Sequence, residues 1–129
     1  MLPEGCRIGV VEDDPIMGES LLQRLTLEGC DVDWWTTGRE AMSGLQSLRH
    51  DLVICDIRLP DMEGDAFVRA LAKRHGPVPV VFLSGHISAE AKAAMETEPQ
   101  VRAILPKPWD EEQLLAILTE IIDAFPTLS

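Results

Sequence analysis

Short, continuous apolar runs alternate along this chain with stretches in which apolar residues recur every three or four positions. The short runs, such as Ile8 to Val11 and Leu52 to Cys55, are typical of buried strands. The recurring positions predict amphipathic helices, and the last of these carries the broadest apolar stripe: Leu114, Ile117, Leu118, Ile121, Ile122 and Phe125. The pattern therefore predicts strands and helices in strict alternation.

Turn and capping residues divide the pattern into five strand-helix units. The predicted strands are Ile8 to Val11, Asp31 to Trp35, Leu52 to Cys55, Val78 to Leu83 and Val101 to Leu105. Strict alternation favours right-handed crossovers and an α/β fold in which helices cover both faces of a doubly wound, five-stranded parallel sheet. A length of 129 residues without a linker indicates one domain, residues 1–129, with its core at about 7–125.

Each predicted helix has an expected inward face. The first should be capped by Asp14, continue from Pro15 to about Glu28, and bury Met17, Leu21 and Leu25 with Ile16 and Leu22 alongside. The other four helices are expected to begin at or just after Thr37-Gly38, Gly64, Ser88 and Asp110. Their expected inward residues are Ala41, Leu45 and Leu48; Phe67, Ala70 and Leu71; Ala91, Ala94 and Met95; and the stripe given above.

Charge and cysteine usage restrict the classes of partner. The 22 acidic and 11 basic residues give a net charge of −11, which disfavours direct binding to nucleic acid or to an anionic membrane. Three cysteines without CxxC spacing are expected to be reduced, partly buried thiols. No run of about 18 apolar residues and no leader-like start is present, so we expect a cytoplasmic protein.

Chemistry-bearing residues fall where the central strands are predicted to end. Glu12 and Asp13 follow the first strand, Asp56 the third, Ser84 the fourth and Lys107 the fifth. Ligands of open parallel sheets bind beyond the carboxyl ends of the strands, so we expect these five residues to share one crevice. Clustered carboxylates call for a cation, and hard oxygen ligands favour Mg²⁺. A phosphate there could pair with Lys107 and with the Ser84 hydroxyl, and Asp56 could act as its nucleophile.

Four motifs resemble the receiver domains of response regulators in two-component signalling. They are Val10-Val11-Glu12-Asp13, the segment from Asp56 to Gly64, Leu83-Ser84-Gly85, and Leu105-Pro106-Lys107-Pro108-Trp109. The resemblance covers about Arg7 to Phe125. It implies a flavodoxin-like, three-layer α/β/α fold with strand order 2-1-3-4-5.

The resemblance also implies a role for each site residue. Asp56 would be the phosphoacceptor, Asp13 a direct Mg²⁺ ligand, Glu12 a ligand through water, and the Arg58 backbone carbonyl a further ligand. Ser84 would move toward the phosphoryl group, and Lys107 would pair with it ahead of a cis bond to Pro108. Asp14 is adjacent to the acidic pair, but we interpret it as the helix cap.

The implied activity is that of a signalling switch, not of an enzyme in the ordinary sense. Phosphotransfer from a histidine kinase or phosphotransfer protein, and the later loss of the phosphoryl group, would both be self-catalysed. A homodimer is implied as a possibility, and the downstream effector is not specified. One departure is Ile104, three positions before Lys107, where this family commonly has an aromatic residue that changes rotamer on phosphorylation.

Two alternative functions fit the residues less well. A phosphohydrolase with an Asp nucleophile needs a second acid two positions later, where this chain has Arg58. A nucleotide- or flavin-binding module calls for a Gly-rich loop after the first strand, where Glu12, Asp13 and Asp14 would repel a phosphate.

The aromatic residues and the histidines are predicted to be structural. Trp34 and Trp35 should lie on opposite sheet faces, Trp109 in the core, and His50, His75 and His86 at the surface or in loops.

Overall fold

The computed structural model describes residues 2–45 and 49–124, and within them strands and helices alternate as predicted. The elements are β1 Arg7–Val11, α1 Pro15–Leu27, β2 Asp31–Trp35, α2 Gly38–Leu45, β3 Leu52–Asp56, α3 Gly64–His75, β4 Val80–Ser84, α4 Ala89–Glu96, β5 Val101–Pro106 and α5 Glu111–Ala124. Two residues of the predicted apolar faces, Leu48 and Phe125, lie outside the described residues. None of the described helices is long and apolar enough to cross a membrane.

The five strands form one parallel sheet in the order β2-β1-β3-β4-β5. This order confirms the predicted flavodoxin-like arrangement. The chain moves outward from β1 to β2, crosses back to β3, and then continues to β4 and β5 on the other side. The change of direction between β1 and β3 leaves a crevice at their carboxyl ends, where ligands of such sheets bind.

The alternation of side chains along the strands produces two separate cores, one on each sheet face. On one face, Ile8, Val10 and Ile54 pack with apolar residues of α1 and α5. On the other face, Val53 and Cys55 pack with residues of α2, α3 and α4. Because β3 and β4 are covered on both faces, they contain almost only apolar residues up to Asp56 and Ser84.

Several helices begin at the predicted caps. The Asp14 carboxylate accepts hydrogen bonds from the backbone N–H groups of Ile16 and Met17, at 2.9 and 3.3 Å, which confirms its role as the cap of α1. The Ser88 hydroxyl accepts from the Ala91 N–H at 3.1 Å at the start of α4. These side chains satisfy donors that the first turn of a helix leaves free.

Some predicted inward positions are wrong. Ile16, in the first turn of α1, is 80% exposed. Ala91 and Ala94 are exposed and line a groove against α3, since Met95 alone is buried among the residues of α4. Strand β4 begins at Val80, two residues later than expected, after Pro77 and Pro79, which have no N–H to donate to the ladder.

The aromatic residues and histidines follow the predictions only in part. Trp34 and Trp35 lie on opposite faces, one against each core, as expected. Trp109 is half-buried at the edge of the α1/α5 core. His50 lies in the loop before β3, as predicted, but its side chain is fully buried: it bonds the Asp33 carboxylate through Nε2 at 2.9 Å and meets the Trp35 ring edge-on. An isolated His in sequence gave no sign of this long-range partner.

Candidate functional site

Five side chains converge at the crevice because each follows or ends a strand of the parallel sheet. Glu12 and Asp13 come directly after β1, and Asp56 and Ser84 are the last residues of β3 and β4. Lys107 follows β5, and its backbone N–H donates to the Ser84 carbonyl at 2.8 Å. The carboxyl ends of parallel strands meet at one edge of the sheet, so the fold itself collects these residues.

Three carboxylates form a cluster at this edge. One oxygen from each of Glu12, Asp13 and Asp56 lies within 4.8 Å of the others, an arrangement that could hold a metal ion. Their surroundings differ: Glu12 is 1% exposed, Asp56 is half-buried and Asp13 is exposed. Burial raises the pKa of Glu12, and the nearby Asp56 carboxylate acts in the same direction, although the bond to Lys107 opposes it. The cluster is therefore a concentration of negative charge that favours a cation.

Lys107 supplies a positive charge to this cluster. Its Nζ lies 2.5 Å from Glu12 Oε1 and 2.9 Å from Asp56 Oδ2. Burial works against the charged ammonium, but the hydrogen bonds and charges of the two acids outweigh it and raise the pKa of Lys107. The lysine is thus held as a cation between the most buried acid and the acid at the end of β3. The peptide bond between Lys107 and Pro108 is cis, as the resemblance implied.

Ser84 adds an unused hydrogen-bonding group. Its side chain is 5% exposed, and within the described part of the chain its Oγ has no hydrogen-bond partner. A buried hydroxyl without a partner is uncommon, because the loss of its hydrogen bonds to water costs roughly 1–3 kcal/mol. Ser84 ends β4, next to the end of β3, so its hydroxyl could donate to an anionic ligand at Asp56.

The loop after β3 is tightly organised. The Arg58 N–H donates to Asp56 Oδ1 at 3.1 Å, and the Gly64 N–H donates to the Ile57 carbonyl at 2.7 Å. An antiparallel bridge between Arg58 and Glu63 closes the loop on itself. This loop fixes the backbone that carries Arg58, whose carbonyl remains a predicted ligand.

Two contacts near the site were not foreseen. The Trp34 indole N–H donates to the Glu12 backbone carbonyl at 2.8 Å. The Asp61 carboxylate accepts hydrogen bonds from the N–H groups of Gly38 and Arg39, at 2.9 and 3.0 Å, at the start of α2. A partly buried indole usually needs an acceptor, which was a signal for the first contact. Asp61 is 23 residues from its partner, and no local pattern indicates such a pair.

The donor set suits a hard divalent cation. Carboxylate oxygens at the mouth of a crevice, with one acid exposed and able to leave room for water, match the preference of Mg²⁺ for oxygen ligands and retained waters. The Lys107 ammonium contacts Asp56, and the unpartnered Ser84 hydroxyl lies at the end of the neighbouring strand, so both could hold a phosphate group at Asp56. The residues present therefore fit a divalent cation together with a phosphoryl group.

The sequence matches the family described as response regulator receiver domain over residues 8–119, and the chain belongs to this family. Receiver domains are signalling domains of two-component systems, which act with sensor kinases and downstream effectors. The predicted family and fold are thus confirmed.

Individual relatives agree with this assignment. The chain is 28% identical over 116 residues to the DNA-binding transcriptional regulator NtrC of Klebsiella pneumoniae, a match covering 90% of this chain and 24% of NtrC. It is 32% identical over 116 residues to the response regulator MprA of Mycolicibacterium vanbaalenii, covering 90% of this chain and 50% of MprA. The non-phosphorylated HemR receiver domain from Leptospira biflexa is 30% identical, with a TM-score of 0.83 and 96% of both chains covered.

The chain spans only about a quarter of NtrC and half of MprA. These relatives are longer proteins, so their outputs do not transfer to this chain. Ile104, at the family's usual aromatic position, is half-buried against the core formed with α2, α3 and α4. Because Ile104 is not aromatic, we still predict that phosphorylation in this chain is read out by something other than rotation of an aromatic side chain at this position.

Proposed function

We propose that this receiver domain accepts a phosphoryl group on Asp56, in a Mg²⁺-dependent reaction, from a phosphohistidine of a sensor histidine kinase or phosphotransfer protein. The observation that carries the proposal is the joint position of Asp56, Lys107 and Ser84. A half-buried carboxylate lies beside a cation, and a buried hydroxyl without a partner lies at the end of the neighbouring strand. In this set, Asp56 can accept the phosphorus, and Lys107 and Ser84 can bind the phosphoryl oxygens.

In the proposed reaction an Asp56 carboxylate oxygen attacks phosphorus in line, and the bond from phosphorus to the histidine nitrogen breaks. The product is an aspartyl phosphate. Lys107 would balance the charge on the phosphoryl oxygens and Ser84 would donate a hydrogen bond to one of them. Bound Mg²⁺ would supply further neutralisation of that charge.

The cation would be held by Asp13 and Asp56 directly, by Glu12 through water, and by the Arg58 carbonyl. The indirect role of Glu12 is supported by its existing partners, since Lys107 and the Asp14 N–H occupy its two carboxylate oxygens. Asp13 is exposed and accessible to an ion arriving from solvent. Once a phosphoryl group is present, Lys107 would exchange its contact with Asp56 for one with the phosphate.

The test uses a small-molecule phosphodonor, such as a phosphoramidate, together with Mg²⁺ and intact-protein mass spectrometry. We expect one added phosphoryl group, its loss when Mg²⁺ is chelated, and its absence in Asp56→Asn. Asp65→Asn is a matched control, because Asp65 is an exposed carboxylate of α3 that pairs only with groups of its own helix. A phosphoryl group on Ser84 or His86, or one retained by Asp56→Asn, would overturn the assignment.

The same experiment separates a phosphoryl carrier from a phosphohydrolase. The exposed Arg58 cannot provide the second acid that a hydrolase needs to protonate its leaving group. We therefore expect donor consumption to stop near one equivalent of protein, followed only by slow dephosphorylation. Rapid consumption of many equivalents would favour the hydrolase.

A further inference from the structure

The thiols of Cys6 and Cys30 face each other at the edge of the sheet opposite to Asp56. They immediately precede β1 and β2, whose register pairs Arg7 with Asp31. The Asp31 N–H donates to the Cys6 carbonyl at 2.8 Å, so the ladder continues to the cysteines. Their Sγ atoms are 2.7 Å apart. This pair is unused by the proposed phosphotransfer.

The backbone around the pair already has the spacing of a disulfide. Adjacent strands of a sheet lie about 4.8 Å apart, and disulfides join residues whose Cα atoms are about 4.4–6.8 Å apart. Residues opposite each other in this ladder therefore satisfy the requirement without movement of the strands. Both cysteines are buried in the α1/α5 core, near Leu2.

We propose that Cys6 and Cys30 form a site of reversible oxidation, which closes to an intramolecular disulfide on reaction with a low-molecular-weight disulfide. The thiolate of one of the two cysteines attacks one sulfur of the small disulfide, whose S–S bond breaks and releases one small thiolate. The thiolate of the other cysteine then attacks the protein sulfur of this mixed disulfide and releases the second small thiolate. The two protons of the protein thiols pass to the released thiolates. The protein is oxidised by two electrons and the small disulfide is reduced.

Burial makes both thiols of the pair slow nucleophiles. Burial raises the pKa of both thiols. The two thiols contact each other, and either sulfur could donate to the other. Either cysteine can therefore be the first nucleophile, with the other as the resolving thiol. Because buried thiols of raised pKa react slowly, the oxidation needs a long incubation at neutral pH.

Cys55 provides an internal comparison. It lies within β3, is fully buried, and donates through Sγ to the Asp56 carbonyl at 3.1 Å. Within the described residues, no second thiol contacts it. A disulfide between Cys6 and Cys30 would enclose β1 and α1, with Glu12 and Asp13 inside the closed loop and Cys55 outside it. Closing a loop of this length restricts the unfolded chain and raises the melting temperature by roughly 5–10 °C.

The experiment incubates the full chain with excess oxidised glutathione, blocks remaining thiols with N-ethylmaleimide in denaturant, and maps the peptides by mass. We expect one labelled cysteine, Cys55, and a disulfide linking the peptides that contain Cys6 and Cys30. The melting temperature should rise and return to its starting value after reduction. Cys30→Ser should lose both the linked peptide and the rise.

A matched control is Cys55→Ala, which should still form the linked peptide. The peptide map of the unaltered chain decides the proposal even if a variant folds poorly. Three labelled cysteines after prolonged incubation would overturn it. So would separate glutathione adducts on Cys6 and Cys30, or a disulfide between two copies of the chain.

Discussion

At the scale of single residues, Lys107 compensates the buried charge of Glu12 when no metal ion is bound. The Glu12 side chain is only 2% exposed and depends on this ammonium for compensation. Removing one member of a buried ion pair leaves an uncompensated charge, which typically costs about 3–5 kcal/mol. The lysine therefore stabilises the metal-free fold in addition to its proposed role toward phosphate.

We predict that Lys107→Met lowers the free energy of unfolding at neutral pH by about 3 kcal/mol in the absence of divalent cations. Loss of the lysine leaves burial to raise the pKa of Glu12 still further above 4.5. The folded chain then binds this proton more tightly than the unfolded chain, so the penalty shrinks as pH falls through the raised pKa. Urea unfolding between neutral and mildly acidic pH measures the change.

Lys92→Met is the matched control for this prediction, because Lys92 lies on the exposed surface of α4. It should shift stability by less than about 0.5 kcal/mol at every pH. The double variant Glu12→Gln with Lys107→Met should recover much of the loss, since it removes the buried charge. An equal loss in the single and double variants would contradict the electrostatic explanation.

Gly18 is a residue whose identity is explained by a close contact with Trp34. A Cβ at this position in α1 would lie 2.2 Å from two ring atoms of Trp34. The indole cannot easily retreat, because its N–H is bonded to the Glu12 carbonyl. The absence of a side chain at Gly18 therefore lets α1 approach β2 and keeps the tryptophan beside the site.

We predict that Gly18→Ala destabilises the fold by about 1–2 kcal/mol. Overpacking costs about 1–3 kcal/mol and outweighs the gain of up to about 1 kcal/mol in helix propensity. Gly85→Ala is the control, since a Cβ there meets nothing within 4 Å. Thermal and urea unfolding compare the two variants, and a stabilised Gly18→Ala would show that Trp34 moves freely.

At the scale of elements, Asp61 ties the loop after β3 to the start of α2. Its carboxylate caps two N–H groups of a helix that lies far away in sequence. Slight burial opposes the shift, but these hydrogen bonds lower the pKa of Asp61 below 3.8. A carboxylate with a lowered pKa stabilises the fold above pH 3.8, and this contribution is lost as pH falls below that value.

We predict that Asp61→Ala costs about 1 kcal/mol at neutral pH, the usual effect of losing a helix cap. Asp61→Asn, which keeps one acceptor oxygen, should lose less. The difference between the unaltered chain and Asp61→Ala should diminish below pH 3.8, and added salt should also reduce it, because the carboxylate is exposed. A pH-independent difference would contradict the role of the charge.

Local elements could be predicted from the sequence more reliably than contacts between elements. Asp14 and Ser88 cap helices through bonds that span three residues or fewer, so the sequence around them was sufficient. The convergence of the site residues was also predictable, because parallel strands align their carboxyl ends. Asp61 and His50 were beyond this reasoning, since their partners depend on the folded arrangement of distant segments. Ile16 was misplaced because the hydrophobic period alone does not show which apolar residues of a helix are covered.

At the scale of the whole molecule, the net charge of −11 acts together with the carboxylate cluster. Self-repulsion among acidic groups destabilises a compact chain, and any added salt reduces it by screening. A divalent cation bound by Glu12, Asp13 and Asp56 would add a specific effect on top of this general one. Screening by salt does not depend on any single carboxylate, whereas specific binding of the cation depends on the acids of the cluster.

We predict that Mg²⁺ raises the melting temperature beyond the effect of NaCl at equal ionic strength, by an amount equivalent to about 2.7 kcal/mol when its concentration is 100 times the dissociation constant. Asp13→Asn should raise the stability of the metal-free chain, because it removes one charge from the cluster, and should abolish the specific gain from Mg²⁺. Asp31→Asn, which alters an exposed acid at the opposite edge of the sheet, should keep that gain. Equal gains from Mg²⁺ in Asp13→Asn and in the unaltered chain would mean that the cation acts only by screening.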